Sequence, residues 1–244
     1  MTTIVIPSAD RAASVLTKIA GAVLYVPEDQ KAEYQQRNPE YAVEGHGPHK
    51  NLAEKRQEIY ERYRNVFMID DDIYTIVRTH TEGNNRKNVI GPEEAAELIH
   101  ATAATAEAAG AYLYGFSSRP TPANYVPQVP ISLNSYINAS AIGLRWSDKL
   151  YFTTRLTAAE SYWINALNAY FHRFSWCDTR FCFAQKQKST FTAPGGQASH
   201  RTLSTEKADT LYLRKIFGQI IQTKPTTSQA KARHPYQRCL RLPF

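Results

Sequence analysis

Val66-Phe67-Met68-Ile69-Asp70-Asp71-Asp72 is the stretch that decides the fold: four apolar residues run straight into three carboxylates. The apolar run is too short for a helix and reads as a buried strand ending in an acidic loop. Upstream, Thr3-Ile4-Val5-Ile6 stops at Pro7-Ser8, and Gly21-Ala22-Val23-Leu24-Tyr25-Val26 stops at Pro27, so the same signal occurs twice more. Helical spacing is predicted from Ala9 to Ile19 and from about Lys50 to Arg64, where Leu52, Ile59 and Tyr63 mark one face. The glycine-rich Gly45-His46-Gly47-Pro48 reads as a loop. Downstream, Pro92 opens an alanine-rich helix to about Ala109, between Gly91 and Gly110. A strand from Ala111 to Phe116 and a proline-punctuated loop follow. Then come a strand from Ile137 to Leu144, a helix from Thr157 to Phe171, a strand from Phe181 to Gln185 and a helix from Glu206 to Ile221. Alternating strands and helices predict an α/β fold with a mixed, mainly parallel sheet flanked by helices. Ligands in such sheets gather at the carboxyl ends of the strands.

The 244 residues, 43% of them hydrophobic, suffice for one sizeable core, with a C-terminal appendage packed on the same domain. The expected division is a catalytic unit over residues 1–200 and a basic helix and tail over 201–244. No stretch has the order of a signal peptide or the roughly 20 apolar residues of a membrane helix, so a cytoplasmic protein without a membrane partner is expected. Cys177, Cys182 and Cys239 have no metal-knuckle spacing, and reduced thiols are expected. The net charge is +7, and all of the excess lies after residue 200, where nine Lys/Arg face only Glu206 and Asp209. Such a tail suits a polyanion or a solvated surface; charge alone does not choose between them.

Three adjacent carboxylates repel one another strongly when desolvated. A solvated acidic turn or a helix start also accommodates them, but the buried strand before them favours a divalent cation. Carboxylate oxygens suit Mg²⁺ or Mn²⁺, and an ion held by one or two side chains keeps positions open for diphosphate oxygens. In a continued strand Asp70 and Asp72 would point to one side and Asp71 to the other. Asp70 and Asp72 are therefore the metal candidates, and Asp71 is a supporting residue.

At this point the chain resembles a family. A first strand ending in Pro7-Ser8, a basic helix, and an apolar strand entering Asp70-Asp71-Asp72-Ile73 resemble the GT-A glycosyltransferases, a Rossmann-like class whose DxD motif binds metal and sugar nucleotide. The string from Asn51-Leu52-Ala53-Glu54-Lys55-Arg56-Gln57 to Ile73 is similar to the phage and kinetoplastid branch associated with TET/JBP oxygenases. That branch includes the base J glucosyltransferase and enzymes acting on hydroxymethylpyrimidines in DNA. The Gly195-Gly196 turn followed by Arg201, the Leu213 to Gly218 segment and the closing Arg238 to Phe244 extend the likeness.

The resemblance implies a UDP-sugar donor, a Mn²⁺ or Mg²⁺ cofactor and DNA as acceptor. It implies a nucleobase loop at Pro7, Ser8 and Arg11, and a nucleotide-facing helix carrying Lys55 and Arg56, of which one need point inward. It places a general base at Glu160, where Ser161 departs from the family's usual second acid and leaves the stereochemical outcome open. His200, rather than His234, is the candidate histidine for the metal, beside the mobile turn at Gly195 and Gly196. Phe171-His172-Arg173-Phe174-Ser175-Trp176, with Arg180, Phe181, Lys186 and Lys188, interleaves aromatic and basic residues as a nucleic-acid surface would, although a half-buried strand has the same pattern. Arg201 and Arg238 complete the candidate DNA contacts. A saccharide or protein acceptor, a silent DNA-binding module and a metal-dependent nuclease are the alternatives; no second acidic cluster supports the nuclease.

Overall fold

The structure, a computed structural model, describes residues 1–81, 88–185, 201–223 and 235–241. Its strands are β1 (Thr3–Pro7), β2 (Val23–Pro27), β3 (Ala42–His46), β4 (Val66–Ile69), β5 (Ile73–Arg78), β6 (Leu113–Ser117), β7 (Ile131–Ser132), β8 (Ala141–Leu144), β9 (Trp176–Gln185), β10 (Ile221–Thr223) and β11 (Arg238–Leu240). The first nine form one sheet in the order β3-β2-β1-β4-β8-β6-β9-β5, with β7 also on β9, and β10 and β11 form a separate antiparallel pair. β3, β2, β1 and β4 are mutually parallel. β8 and β5 run against their neighbours, and β6 and β9 return to the common direction. The expected α/β class with a mixed, mainly parallel sheet therefore holds.

Both faces of the sheet are buried, which is why its central strands read as unbroken apolar runs. Along β1, Ile4 and Ile6 enter one core and Val5 the other; along β4, Phe67 and Ile69 oppose Val66 and Met68. On the first face lie α1 (Lys31–Arg37), through Tyr34, and α3 (Pro92–Ala108), through Ala95, Ile99, Ala103 and Ala106. The other face is covered by α2 (Leu52–Tyr63), α4 (Glu160–His172) and α5 (Leu203–Phe217), through Ile59, Trp163, Ile164 and Leu213. Asn51 caps α2 by accepting from the Glu54 amide, and Thr202 with Thr205 forms a capping box on α5.

Several local expectations are corrected. The helical spacing of Ala9 to Ile19 yields a single 3₁₀ turn, Ala12–Ser14. Asp10 takes a positive φ of 56°, and the amides of Leu16 and Thr17 donate to the Asp71 carbonyl at 2.8 and 3.2 Å, so the segment is spent on bracing the aspartate loop. Gly45 and His46 end β3 instead of lying in a loop. A Cβ at Gly45 would collide with Glu28, so this glycine serves close approach. The buried side of α2 is Ala53, Lys55, Arg56, Ile59 and Tyr60, not a stripe on Leu52 and Tyr63. The predicted strand from Ile137 is regular only from Ala141, because Asn165 holds both polar backbone groups of Ile137. The last helix ends at Phe217, and Ile221 belongs to β10. All three cysteines are free thiols. Among the described residues no helix is long and apolar enough to cross a membrane.

Gly143 sits in β8 opposite Phe67 and Tyr114, and a Cβ there would run into the buried Tyr114 ring. Gly143→Ala is expected to lower stability by about 1–3 kcal/mol through overpacking, as a shift of the urea midpoint without a change in slope. An unchanged midpoint would contradict the packing of this layer.

Candidate active site

In the order β3-β2-β1-β4 the chain leaves β1 toward β2 and returns from β3, through α2, to the opposite edge of β1. The β1–β4 seam is thus a topological switch point, where such sheets open a crevice at their carboxyl ends. A cleft of about 930 Å³ lies there, lined by Pro7, Ser8 and Arg11 after β1, Pro27 and Glu28 after β2, His46 and His49 after β3, and Asp70 to Asp72 after β4.

β4 ends at Ile69, so the aspartates turn instead of continuing a strand, and each carboxylate faces its own partner. Asp70 accepts from Arg56 Nη2 at 2.7 Å, while its amide donates to the Ser140 carbonyl. Asp71 is buried, accepts a short hydrogen bond from Ser8 Oγ, and pairs with Arg11 Nη1 at 2.9 Å. Asp72 accepts from Gln185 Nε2 at 2.9 and 3.1 Å. Burial, reinforced by Asp72, Asp71 and Glu160 and opposed by Arg56, pushes the Asp70 carboxyl up to about 7. Burial also raises Asp71 against the hydrogen bond from Ser8 and the charge of Arg11.

Lys55 and Arg56 of α2 both point inward, where one of the two would have sufficed. Lys55 Nζ donates to the Ser8 carbonyl at 3.1 Å, and burial lowers its pKa to about 8. Arg56 is 1% exposed and donates to the Ala139 carbonyl at 2.8 Å as well as to Asp70. Its Nε, which has no hydrogen-bond partner, lies 3.8 Å from Glu160 Oε1. Arg56 thus faces two carboxylates and also borders the cleft. Glu160 is the first residue of α4, 7% exposed, and borders the cleft.

The remaining candidates separate. Arg201 and Arg238 border the cleft, but both pair with the fully buried Glu206 at 2.7 Å. Arg238 is itself buried, which corrects its placement on a solvated, DNA-facing tail. Arg173 caps the carboxyl end of α4, about 18 Å along the helix from Glu160, so the Phe171 to Trp176 stretch is not brought to the cleft. Arg180 pairs with Asp178 at 2.7 Å, five residues before Gln185 on β9 and about 17 Å from it. Lys186, Lys188, Gly195, Gly196, His200 and His234 lie outside the described residues.

Four contributors escaped sequence reasoning. Tyr34 binds Ser8 Oγ at 2.7 Å and receives the Arg11 amide. Gln185 holds Asp72. His46 and His49 meet on the cleft wall with tilted rings, centroids 4.3 Å apart. Only the His-x-x-His spacing in 46–49 offered a signal. Among the described residues, no group of three His, Cys, Asp or Glu side chains converges as a self-contained metal cage. The carboxylate oxygens of Asp70 and Asp72 at the cleft are hard donors of the kind that suits Mg²⁺ or Mn²⁺, and Arg56, Arg11 and Lys55 are the counter-charges beside the aspartates.

The class the fold and site define is an α/β protein with a cleft rich in charged side chains at the ends of its parallel strands. The chain belongs to the TET-associated glycosyltransferase family, whose pattern it matches over residues 2–196, and it is accordingly a glycosyltransferase. No curated protein matches it. Among solved structures it is similar to a CMP:2-keto-3-deoxy-manno-octonic acid synthetase complexed with CTP, at 12% identity and a TM-score of 0.39, over 88% of this chain and 99% of that one.

Burial lowers the His46 pKa to about 4, against a hydrogen bond to the Gly47 carbonyl that raises it. Between pH 6.5 and 4 the unfolded chain therefore binds a proton at this site that the folded chain does not, and stability falls as pH falls through that window. His46→Phe is expected to flatten this part of the stability-versus-pH curve, measured as urea midpoints. Equal slopes in both proteins would refute the assignment.

Proposed function

We propose that the enzyme transfers a sugar from a nucleoside-diphosphate sugar, with UDP as the carrier, to the hydroxymethyl oxygen of a modified pyrimidine in DNA. Membership of the family supports the glycosyl transfer. The observation that most supports the rest is the convergence of Asp70, Asp71, Asp72 and Glu160 on one cleft at the β1–β4 switch point. Asp70 and Asp72 are the residues that would hold a Mn²⁺ or Mg²⁺ ion, with Asp71 tied behind them to Ser8 and Arg11. When bound, that ion neutralises charge developing on the departing diphosphate. Pro7, Ser8 and Arg11 border the nucleoside, and Lys55 adds positive charge beside the phosphates. Arg56 orients Asp70 and Glu160. Glu160 takes the proton from the acceptor hydroxyl as its oxygen attacks the anomeric carbon. Residues 1–200 act as the catalytic domain of a cytoplasmic protein and 201–244 as an extension packed on it.

The experiment incubates the protein and Mn²⁺ with a panel of sugar nucleotides and DNA containing hydroxymethylcytosine or hydroxymethyluracil, then weighs the digested nucleosides. The expected result is a mass increase of one sugar residue. Asp72→Ala should abolish it, and Glu160→Gln should lower kcat by roughly 10²–10⁴-fold with donor affinity kept. Donor hydrolysis without a mass increase on any DNA would exclude the DNA acceptor and leave a saccharide or protein in its place. Full activity of Asp72→Ala would overturn the metal assignment.

A further inference from the structure

The cleft is lined by the ends of β1 to β3 and the aspartates, and also by Tyr136, Ser161, Tyr162 and Arg238, which hold one another beside Glu160. The diphosphate chemistry assigned above draws on the first set, which leaves the second for the acceptor.

Glu160 is recessed, with 7% of its surface exposed. In duplex DNA a base edge is recessed too, at the floor of a major groove roughly 8.5 Å deep and about 12 Å wide. A group at the bottom of a cavity cannot touch an atom at the bottom of a groove, so one of them must come out. The cleft's 930 Å³ lies within the roughly 300–1,000 Å³ typical of small-ligand sites, room enough for a single nucleotide.

A planar platform stands where such a base would arrive. Tyr136 is half-buried at the cleft wall, and its hydroxyl donates at 2.6 Å to Ser161, the residue after Glu160. Its ring packs on Tyr162 with centroids 5.0 Å apart. Tyr162 is fixed in turn, donating at 2.8 Å to the Arg238 carbonyl, with the Arg238 guanidinium 5.3 Å above its ring. An aromatic ring held by both a hydrogen bond and a packed neighbour costs little further ordering when a base stacks on it.

We infer that the acceptor pyrimidine is turned out of the helix and stacks on Tyr136, which presents its hydroxymethyl group to Glu160. The inference rests on the DNA-acceptor reading above. Tyr136 is a specificity-determining residue in this role, and β11 supports it through Tyr162.

The test uses the full-length enzyme and a duplex oligonucleotide with one hydroxymethylated pyrimidine beside a 2-aminopurine. Extrusion unstacks the probe, so its fluorescence should rise on binding the wild-type enzyme. Tyr136→Ala should raise KM for the oligonucleotide tenfold or more, roughly the effect of one lost base–aromatic stack, while donor KM and sugar-nucleotide hydrolysis stay unchanged. Tyr136→Phe, which keeps the ring and loses only its hydrogen bond to Ser161, should raise KM less than Tyr136→Ala does. Tyr136→Leu, which keeps apolar bulk without a π face, serves if Tyr136→Ala does not fold, and should behave like it. Sugar transfer to the duplex without a fluorescence rise, or an unchanged oligonucleotide KM in the ring-less variants, would overturn extrusion onto Tyr136 while the DNA-acceptor reading stands. Failure to transfer to any hydroxymethylated DNA, single- or double-stranded, with donor hydrolysis intact, would remove both.

Discussion

Arg56 is a guanidinium with 1% exposure, placed between Asp70 at 2.7 Å and Glu160 at 3.8 Å, and the arrangement of the site depends on it. A buried cation is tolerable only when its charge is met and its donors are used, and a buried carboxylate needs the same in return. Asp70 and the Ala139 carbonyl meet part of that demand. The geometry then constrains its surroundings: α2 must start at Asn51 to aim Arg56 across the end of β4, and the loop before β8 must bring Ala139 within reach. Glu160 must open α4 on the far side. One side chain thereby fixes three elements around the reactive carboxylates.

The charge balance is incomplete by design of the fold. Three aspartates emerge within one turn, yet their partners come from separate directions: Arg56 from α2, Ser8 and Arg11 from the loop after β1, Gln185 from the end of β9. Gln185 is neutral, so among the described residues Asp72 has hydrogen bonds from it and no ion pair. The upward shift of Asp70 toward 7 comes first from burial, with Asp72, Asp71 and Glu160 adding to it against Arg56.

Part of the positive charge after residue 200 is committed inside the protein. Of the basic residues there, Arg201 and Arg238 are drawn onto the fully buried Glu206, and Arg238 also donates to the Glu206 carbonyl and to Thr210. This clasp fastens β11 against α5 and forms a wall of the cleft. A count of nine cations against two acids cannot distinguish a solvated arm from a clasp, because both partners of a buried pair look, in sequence, like surface residues.

By itself the sequence determined the α/β class, the strands β1, β2 and β4, the helices α2 to α5 to within a few residues, and the presence of an acidic centre after β4. These are local properties: apolar runs, helical periods and caps are written in adjacent residues. It did not reveal β3, whose Ala42-Val43-Glu44-Gly45-His46 mixes polar residues and a glycine, or that the Ala9 to Ile19 period is not a helix. Only the tertiary structure decided that Lys55 and Arg56 both face inward, that Tyr34, Gln185 and the 46–49 histidines join the site, and that the Phe171 to Trp176 stretch stands apart from it. Each of those outcomes turns on which residues meet across distances of tens of positions in the chain. A buried charge pair or a shared cleft wall exists only once the sheet order has brought its members together.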